Sequence, residues 1–169
     1  MASLVAVWFS GLRINDVRLG MVHVDQLDTT DVILRLLSRR RADIIFLSGA
    51  SFAGFNIVDC RRLHNVLHIP MIIVSRDKPN NASVKRALKK HFPDWKTRWR
   101  LVRELGRIHV FAPKPCEQPL YFEAVGISAA NAKTVIRAYS TTSRVPEPIR
   151  VAGILAKGLA LAGNELRFH

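Results

Sequence analysis

A chain of 169 residues, 49% of them hydrophobic and 23% charged, is long enough to bury a core without disulfides or metals and too apolar to be a disordered tail. Lys and Arg number 26 against 13 Asp and Glu, a formal charge of +13, which points to a polyanionic partner. The most apolar stretches, Ile69–Val74 and Ile154–Ala162, fall well short of the roughly 20 residues that a spanning helix needs. Met1–Phe9 lacks a basic leader and runs into a strand pattern, so it does not read as a signal peptide. The expectation is a single cytoplasmic domain over residues 1–169, away from membranes, whose two cysteines, Cys60 and Cys116, are ordinary thiols in a reducing compartment.

In chain order, Leu4–Phe9 and Arg13–Asp25 predict an antiparallel hairpin about the turn Ser10-Gly11. Asp28-Thr29-Thr30-Asp31 supplies capping chemistry for a helix with Val32, Ile33, Leu36 and Leu37 inward, ending at Arg39-Arg40-Arg41. Ile44–Leu47 and Ile69–Val74 read as strands buried on both faces, with a helix over Val58–Leu67 between them. Two helices follow, Ala82–Phe92 capped at Asn80-Asn81, and Trp95–Leu105. Strands at Arg107–Ala112 and Leu120–Val125, a helix at Ser128–Tyr139 and a small-residue-rich, closely packed helix at Pro148–Leu161 complete the pattern. The fold class is α/β: an N-terminal antiparallel hairpin, then strands alternating with helices in a mixed sheet that turns parallel, with helices on both faces.

The charge has a place. Residues 1–60 hold six basic and six acidic residues, so the whole excess follows residue 60. Lys85–Arg107 alone carries nine basic residues against two acidic ones, Asp94 and Glu104. Lys85 and Lys89, like Arg86 and Lys90, are four apart and share a helix side. Val84, Leu88 and Phe92 form the opposite, inward side. Solvation alone calls for mixed signs, and this face has nearly one, so Lys85, Arg86, Lys89, Lys90, Lys96, Arg98, Arg100 and Arg103 are assigned to nucleic-acid binding, with Arg39, Arg40 and Arg41 beside them. Trp95 and Trp99, four apart among these charges, read as core.

The segment Ser48–Asp59 puts two phenylalanines, two glycines and an amide after a buried strand, where open α/β sheets bind ligands. Phe52 and Phe55 can stack on a base or pack the loop down, and Asn56 joins them as a candidate contact. The six histidines include His64 and His68 four apart, but no Glu-flanked zinc pattern and no paired cysteines accompany them. No phosphate-binding glycine loop and no Gly-x-Ser-x-Gly elbow occurs.

Six ordered blocks resemble the archaeal endonuclease dU family, which is related to endonuclease V: Val24–Thr30, Phe52–Asp59, Lys78-Pro79, Ala87–Asp94, Ala124–Ser128 and Pro146–Ala152. The resemblance implies a ribonuclease H-like fold and a metal-dependent nuclease, using magnesium or manganese, that cuts DNA near a deaminated base. Members open with a strand ending in two adjacent aspartates, and no such pair occurs in this sequence; members also usually carry Asp where Ser48 stands. Two-metal cleavage needs several converging carboxylates. The acids left for such a role are Asp25, Asp28 and Asp59, of which Asp28 more economically caps a helix and Asp59 can cap the next. The expectation is therefore a nucleic-acid-binding protein without catalytic residues, metal or cofactor, on a degenerate nuclease scaffold. RNA is the favoured partner, within or beside the ribosome, and the alternative is an active endonuclease.

Overall fold

The computed structural model describes residues 1–38, 40–115 and 117–165. Two expectations, on Arg39 and Cys116, therefore fall outside the described residues. Strands β1 (Ala2–Ser10) and β2 (Arg13–Val22) form the antiparallel hairpin, turning at Gly11 with φ +58°. Helix α1 (Thr29–Leu37) lies against β2. Where the two meet, a side chain at Gly20 would collide with Val32, so the helix rests on bare backbone there.

Strand β3 (Ile45–Ser48) is followed by two short antiparallel strands, β4 (Ser51–Phe52) and β5 (Asn56–Ile57), which sequence patterning does not announce. Helix α2 (Cys60–Leu67) then leads to β6 (Met71–Ser75), parallel to β3 with Ile45 beside Met71. Helices α3 (Asn81–His91) and α4 (Trp95–Glu104) form a hairpin. Strands β7 (His109–Phe111) and β8 (Leu120–Val125) form another, and α5 (Ala129–Tyr139) and α6 (Glu147–Glu165) close the described chain. None of the described helices is long and apolar enough to cross a membrane.

The main sheet has the order β3-β6-β8-β7. It is parallel only at β3–β6; β8 runs antiparallel to both neighbours. The expected parallel continuation therefore stops after one pair, because β7 and β8 are joined by a loop and not by a crossover helix. One face of the sheet, through Ile72, Val74, Leu120 and Phe122, packs on α5 and on Ile149 of α6. The other, through Met71 and Ile73, packs on Cys60 and Leu63 of α2, on α1 and on the hairpin. A third cluster, around Leu88, Leu101 and Ile57, binds α3 and α4 to the β4–β5 loop.

The hairpin is not hydrogen-bonded to the main sheet. A cleft of about 740 Å³ separates β1 from β3, with α6 along one side. As an edge strand β3 is covered only in part: Leu47 is buried and Ile45 packs beside it on one face, while Phe46 is half-buried on the other. Helix α6 lies close along β1 and β3, with Ile149 in the core, while Gly153 and Gly158 face open space and Ile154 and Leu161 are exposed.

Candidate nucleic-acid interface

Local chemistry sets the ends of the basic hairpin. Asn80 accepts from Ser83 N at 3.0 Å and starts α3. Leu88 is fully buried, with Val84 and Phe92 against the same cluster, as the inward stripe requires. That phase leaves Arg86, Lys89 and Lys90 exposed and Lys85 half-buried. On α4, Lys96, Arg100 and Arg103 are exposed. Trp95 and Trp99 are half-buried against the same cluster, at its rim more than in its core. The ammonium of Lys89 stands 4.9 Å from the Trp95 ring centre and that of Lys85 stands 5.3 Å from the Trp99 ring centre. The lysines are thus set over aromatic faces that attract cations and orient them.

Arg98 departs from the expectation. It is 5% exposed and is the anchor of α4, not part of its outer face. Its Nε donates to Asp94 at 2.9 Å, while Nη1 donates to the carbonyls of Phe55 at 2.8 Å and Gln26 at 3.2 Å. The guanidinium lies 4.3 Å from the Phe92 ring centre. One buried cation thereby ties the basic hairpin to two loops.

Those loops are themselves knotted together. Asn56, which sequence places among the nucleic-acid contacts, is fully buried. Its Oδ1 accepts from Thr29 N at 3.2 Å, and its Nδ2 donates to His23 O at 2.8 Å and to Asp28 Oδ1 at 2.6 Å. An amide supplied from β5 therefore caps α1, and the side chain of Asp28, at the N-cap position, makes no capping bond. The Asp28 carboxylate instead accepts from His23 N and meets His23 Nδ1 at 2.7 Å. Burial alone would raise its pKa, but the bonds from the His23 side chain, Asn56 and the His23 backbone outweigh it and hold the group below its usual range.

Asp25 sits at φ +61°, and its Oδ1 accepts from Phe55 N at 2.8 Å. A side chain at Gly54, itself at φ +79°, would collide with that carboxylate, so this position requires glycine. Asp59 caps α2 by accepting from Arg62 N at 2.8 Å, as its position predicts. Phe55 packs edge-on against Phe92 with ring centres 5.4 Å apart, and Phe52 packs on the main core. Both half-buried phenylalanines pack the loop down.

The remaining basic candidates lie elsewhere. Arg40 and Arg41 precede β3 and line the cleft beside β1, at the end of β3 opposite Phe52–Asn56. Arg40 is paired with Asp16 at 2.9 Å. They do not share a surface with α3 and α4. His64 bonds through Nδ1 to Ile69 O at 3.0 Å, and His68 closes α2 in a left-handed conformation. Burial first, then the charges of Asp59 and Glu123, push the Cys60 thiol up to about 12, which leaves it unreactive.

Among the described residues no three His, Cys, Asp or Glu side chains converge to hold an ion. Ser48, exposed at the end of β3, offers a neutral hydroxyl, and Asp25, Asp28 and Asp59 are each engaged by backbone amides.

Sequence reading misses Glu123, a charge inside the apolar run Leu120–Val125. It is 5% exposed, and burial pushes its carboxyl from 4.5 up to about 7. Between those values the folded protein holds a proton that the unfolded chain has released, so stability falls as pH rises from about 4.5 to about 7. At roughly 1.4 kcal/mol per unit the loss is about 3 kcal/mol. Glu123→Gln is expected to remove that slope and to melt above the wild type in mildly alkaline buffer; parallel slopes in thermal unfolding would show that the group is not the one titrating.

Solved structures place the fold in a known class. An Archaeoglobus fulgidus protein of unknown function superposes with a TM-score of 0.80 at 22% identity, covering 94% of this chain and 96% of that one. Human endonuclease V superposes at 0.60 with 16% identity, covering 96% of this chain and 78% of that one. Ciona intestinalis endonuclease V, solved with DNA containing an inosine, superposes at 0.57 with 14% identity, covering 95% and 85%. The architecture is thus the ribonuclease H-like nuclease fold of endonuclease V. The endonuclease dU family matches residues 2–160, and the chain belongs to that family. Among its relatives is a UPF0215 protein of Methanothermobacter thermautotrophicus, 37% identical over 158 residues that make up 91% of this chain and 74% of the relative. Another, from Pyrococcus furiosus, is 38% identical over 142 residues, 82% of this chain and 71% of the relative.

Proposed function

We propose that the chain grips nucleic acid across the exposed side of α3 and α4 and does not hydrolyse it. The observation that carries this reading is a set of seven cations outside the buried stripe, Lys85, Arg86, Lys89 and Lys90 on α3 and Lys96, Arg100 and Arg103 on α4, on two helices whose inward sides are fixed by Leu88, Leu101 and the buried Arg98. Cations over half-buried aromatic rings suit a single strand, whose phosphates and unstacked bases are met together. Affinity for phosphates comes from counterion release and needs no catalytic group. In its finer form the reading takes RNA as the partner, with ribosomal RNA as one instance, and places the protein in the cytoplasm with no cofactor.

The second reading, metal-dependent cutting of DNA near deaminated bases, is favoured by the family match and opposed by the engagement of Asp25, Asp28 and Asp59 in loop and cap bonds. Uracil- and hypoxanthine-containing DNA and a matching RNA, each labelled and incubated with the purified protein in magnesium and then in manganese, separate the two. Retarded, intact strands, with RNA retarded at the lowest protein concentration, are expected. Cleaved product that disappears in Asp28→Ala would establish the second reading.

A further inference from the structure

Strand β2 carries a bare apolar row. Ile14, Val17, Leu19 and Met21 are between 41% and 56% exposed. The register sets them on one face: they stand opposite Phe9, Val7, Val5 and Ser3, alternate residues of β1. The irregularity between Trp8 and Phe9 brings Ile14 onto the side of Val17. The other face of the hairpin, through Leu4 and Val22, packs in the core with α1. A sheet that is apolar on both faces is built to be covered on both. Helix α6 packs along β1 on the side away from α1, since the two helices lie on opposite faces of the main sheet, and it leaves the β2 row bare. Among the described residues nothing pairs with the outer edge of β2. Its ten residues include neither lysine nor proline, the residues that guard exposed edges.

We propose that this row is the interface of a two-fold dimer, in which the outward face of the hairpin packs on the same face of a second copy. Charge selects the occupant. Residues 1–60 are the neutral part of a chain whose formal charge is +13. Within the hairpin Asp16 is paired with Arg18 and with Arg40. Two copies repel each other over the later part of the sequence and meet no excess of charge here. The row itself holds no charged side chain, so it offers nothing to a polyanion or to an acidic protein. An isologous interface needs a surface that matches itself. A row of aliphatic side chains about a two-fold axis does so, with the two hairpins at the usual spacing of packed sheets, about 10 Å. The interface lies on other elements than α3 and α4 and does not depend on the nucleic-acid reading.

The test is the mass of the full chain, treated with nuclease, over a concentration series in the analytical ultracentrifuge. Wild type is expected to approach twice its 19.0 kDa as concentration rises, and to associate more tightly in higher salt, which screens the net charge. Leu19→Lys and Val17→Lys bring a charge into the interface, and each is expected to weaken association at least about tenfold. Val110→Lys, at an exposed apolar position of β7, is expected to leave it unchanged. Circular dichroism identifies a variant that has failed to fold, and the other then decides. Hydrogen exchange needs no variant: amides of residues 13–22 should slow as wild-type concentration rises, and those of α3 should not. Wild type that stays at 19.0 kDa throughout, a dimer that folded Leu19→Lys leaves intact, or equal weakening by Val110→Lys overturns the proposal.

Discussion

Arg98→Ala is expected to lower the unfolding free energy by about 3 kcal/mol, although Arg98 lies in a segment that reads as a solvated basic face. The side chain is almost wholly buried and makes three hydrogen bonds, two of them to loop carbonyls from Gln26 and Phe55. Its removal leaves those carbonyls without a donor, at about 1–3 kcal/mol for each buried group, and empties the space over Phe92. Asp94 is 41% exposed and rehydrates, so its share of the loss is small. For a domain of this size the melting temperature should fall by roughly 6–12 °C. Arg98→Lys keeps the charge but cannot reach three acceptors with one ammonium, and it should recover only part of the loss. A melting curve within a degree or two of wild type for Arg98→Ala would return Arg98 to the surface.

Asn56→Asp is expected to cost still more at neutral pH, about 4 kcal/mol, and to regain stability in acid. The substitution keeps the volume of a fully buried side chain. It replaces the donor Nδ2, which lies 2.6 Å from Asp28 Oδ1, with a second carboxylate oxygen. Two carboxylates at that distance cannot both ionise, so one is forced to keep its proton. The variant's folded state then binds more protons than its unfolded chain above about pH 4, and its stability rises as pH falls toward that value. Wild type behaves in the opposite way at this site: the depressed pKa of Asp28 gives stability that is present above its unfolded value of 3.8 and lost as pH falls through the lower folded value. Urea unfolding of both proteins across mildly acidic and neutral buffers measures the difference: wild type carries the Glu123 slope alone, and the variant adds a second slope of the same sign. If the two follow parallel pH profiles, Asn56 is not the keystone between β5, α1 and the loop His23–Asp28.

The segments legible in the sequence are those whose determinants are local. Asn80, Asp59 and Ser128 cap their helices as their positions predict, each accepting from the amide three residues on. The limits of β8 agree with its apolar run. The basic hairpin is legible for the same reason, since the phase of Val84, Leu88 and Phe92 fixes which lysines face out. Arg98 is where charge and phase conflict: it lies three residues before Leu101 and seven before Leu105, on the buried stripe of α4, and phase prevails because the two loop carbonyls need a donor. Asn56 and Asp28 carry no such local signal. Their partners lie far away in the chain, and an amide from β5 takes over the capping that Asp28 would otherwise perform. The gap between the hairpin and β3 is equally long-range, because each strand's pattern is satisfied by its own neighbours.

The basic grip is tested most directly by the salt dependence of binding to a single-stranded RNA, measured for wild type and for a variant with Lys85, Arg86, Lys89 and Lys90 all changed to Glu. Each phosphate contact adds about 0.7 to the slope of log K against log salt on a single strand. Reversal of these four, with the inward stripe untouched and the fold checked by its near-ultraviolet spectrum, should lower the magnitude of that slope by about 3 and weaken binding at least a hundredfold at moderate salt. An unchanged slope with unchanged affinity would mean that nucleic acid, if held at all, is held by another face.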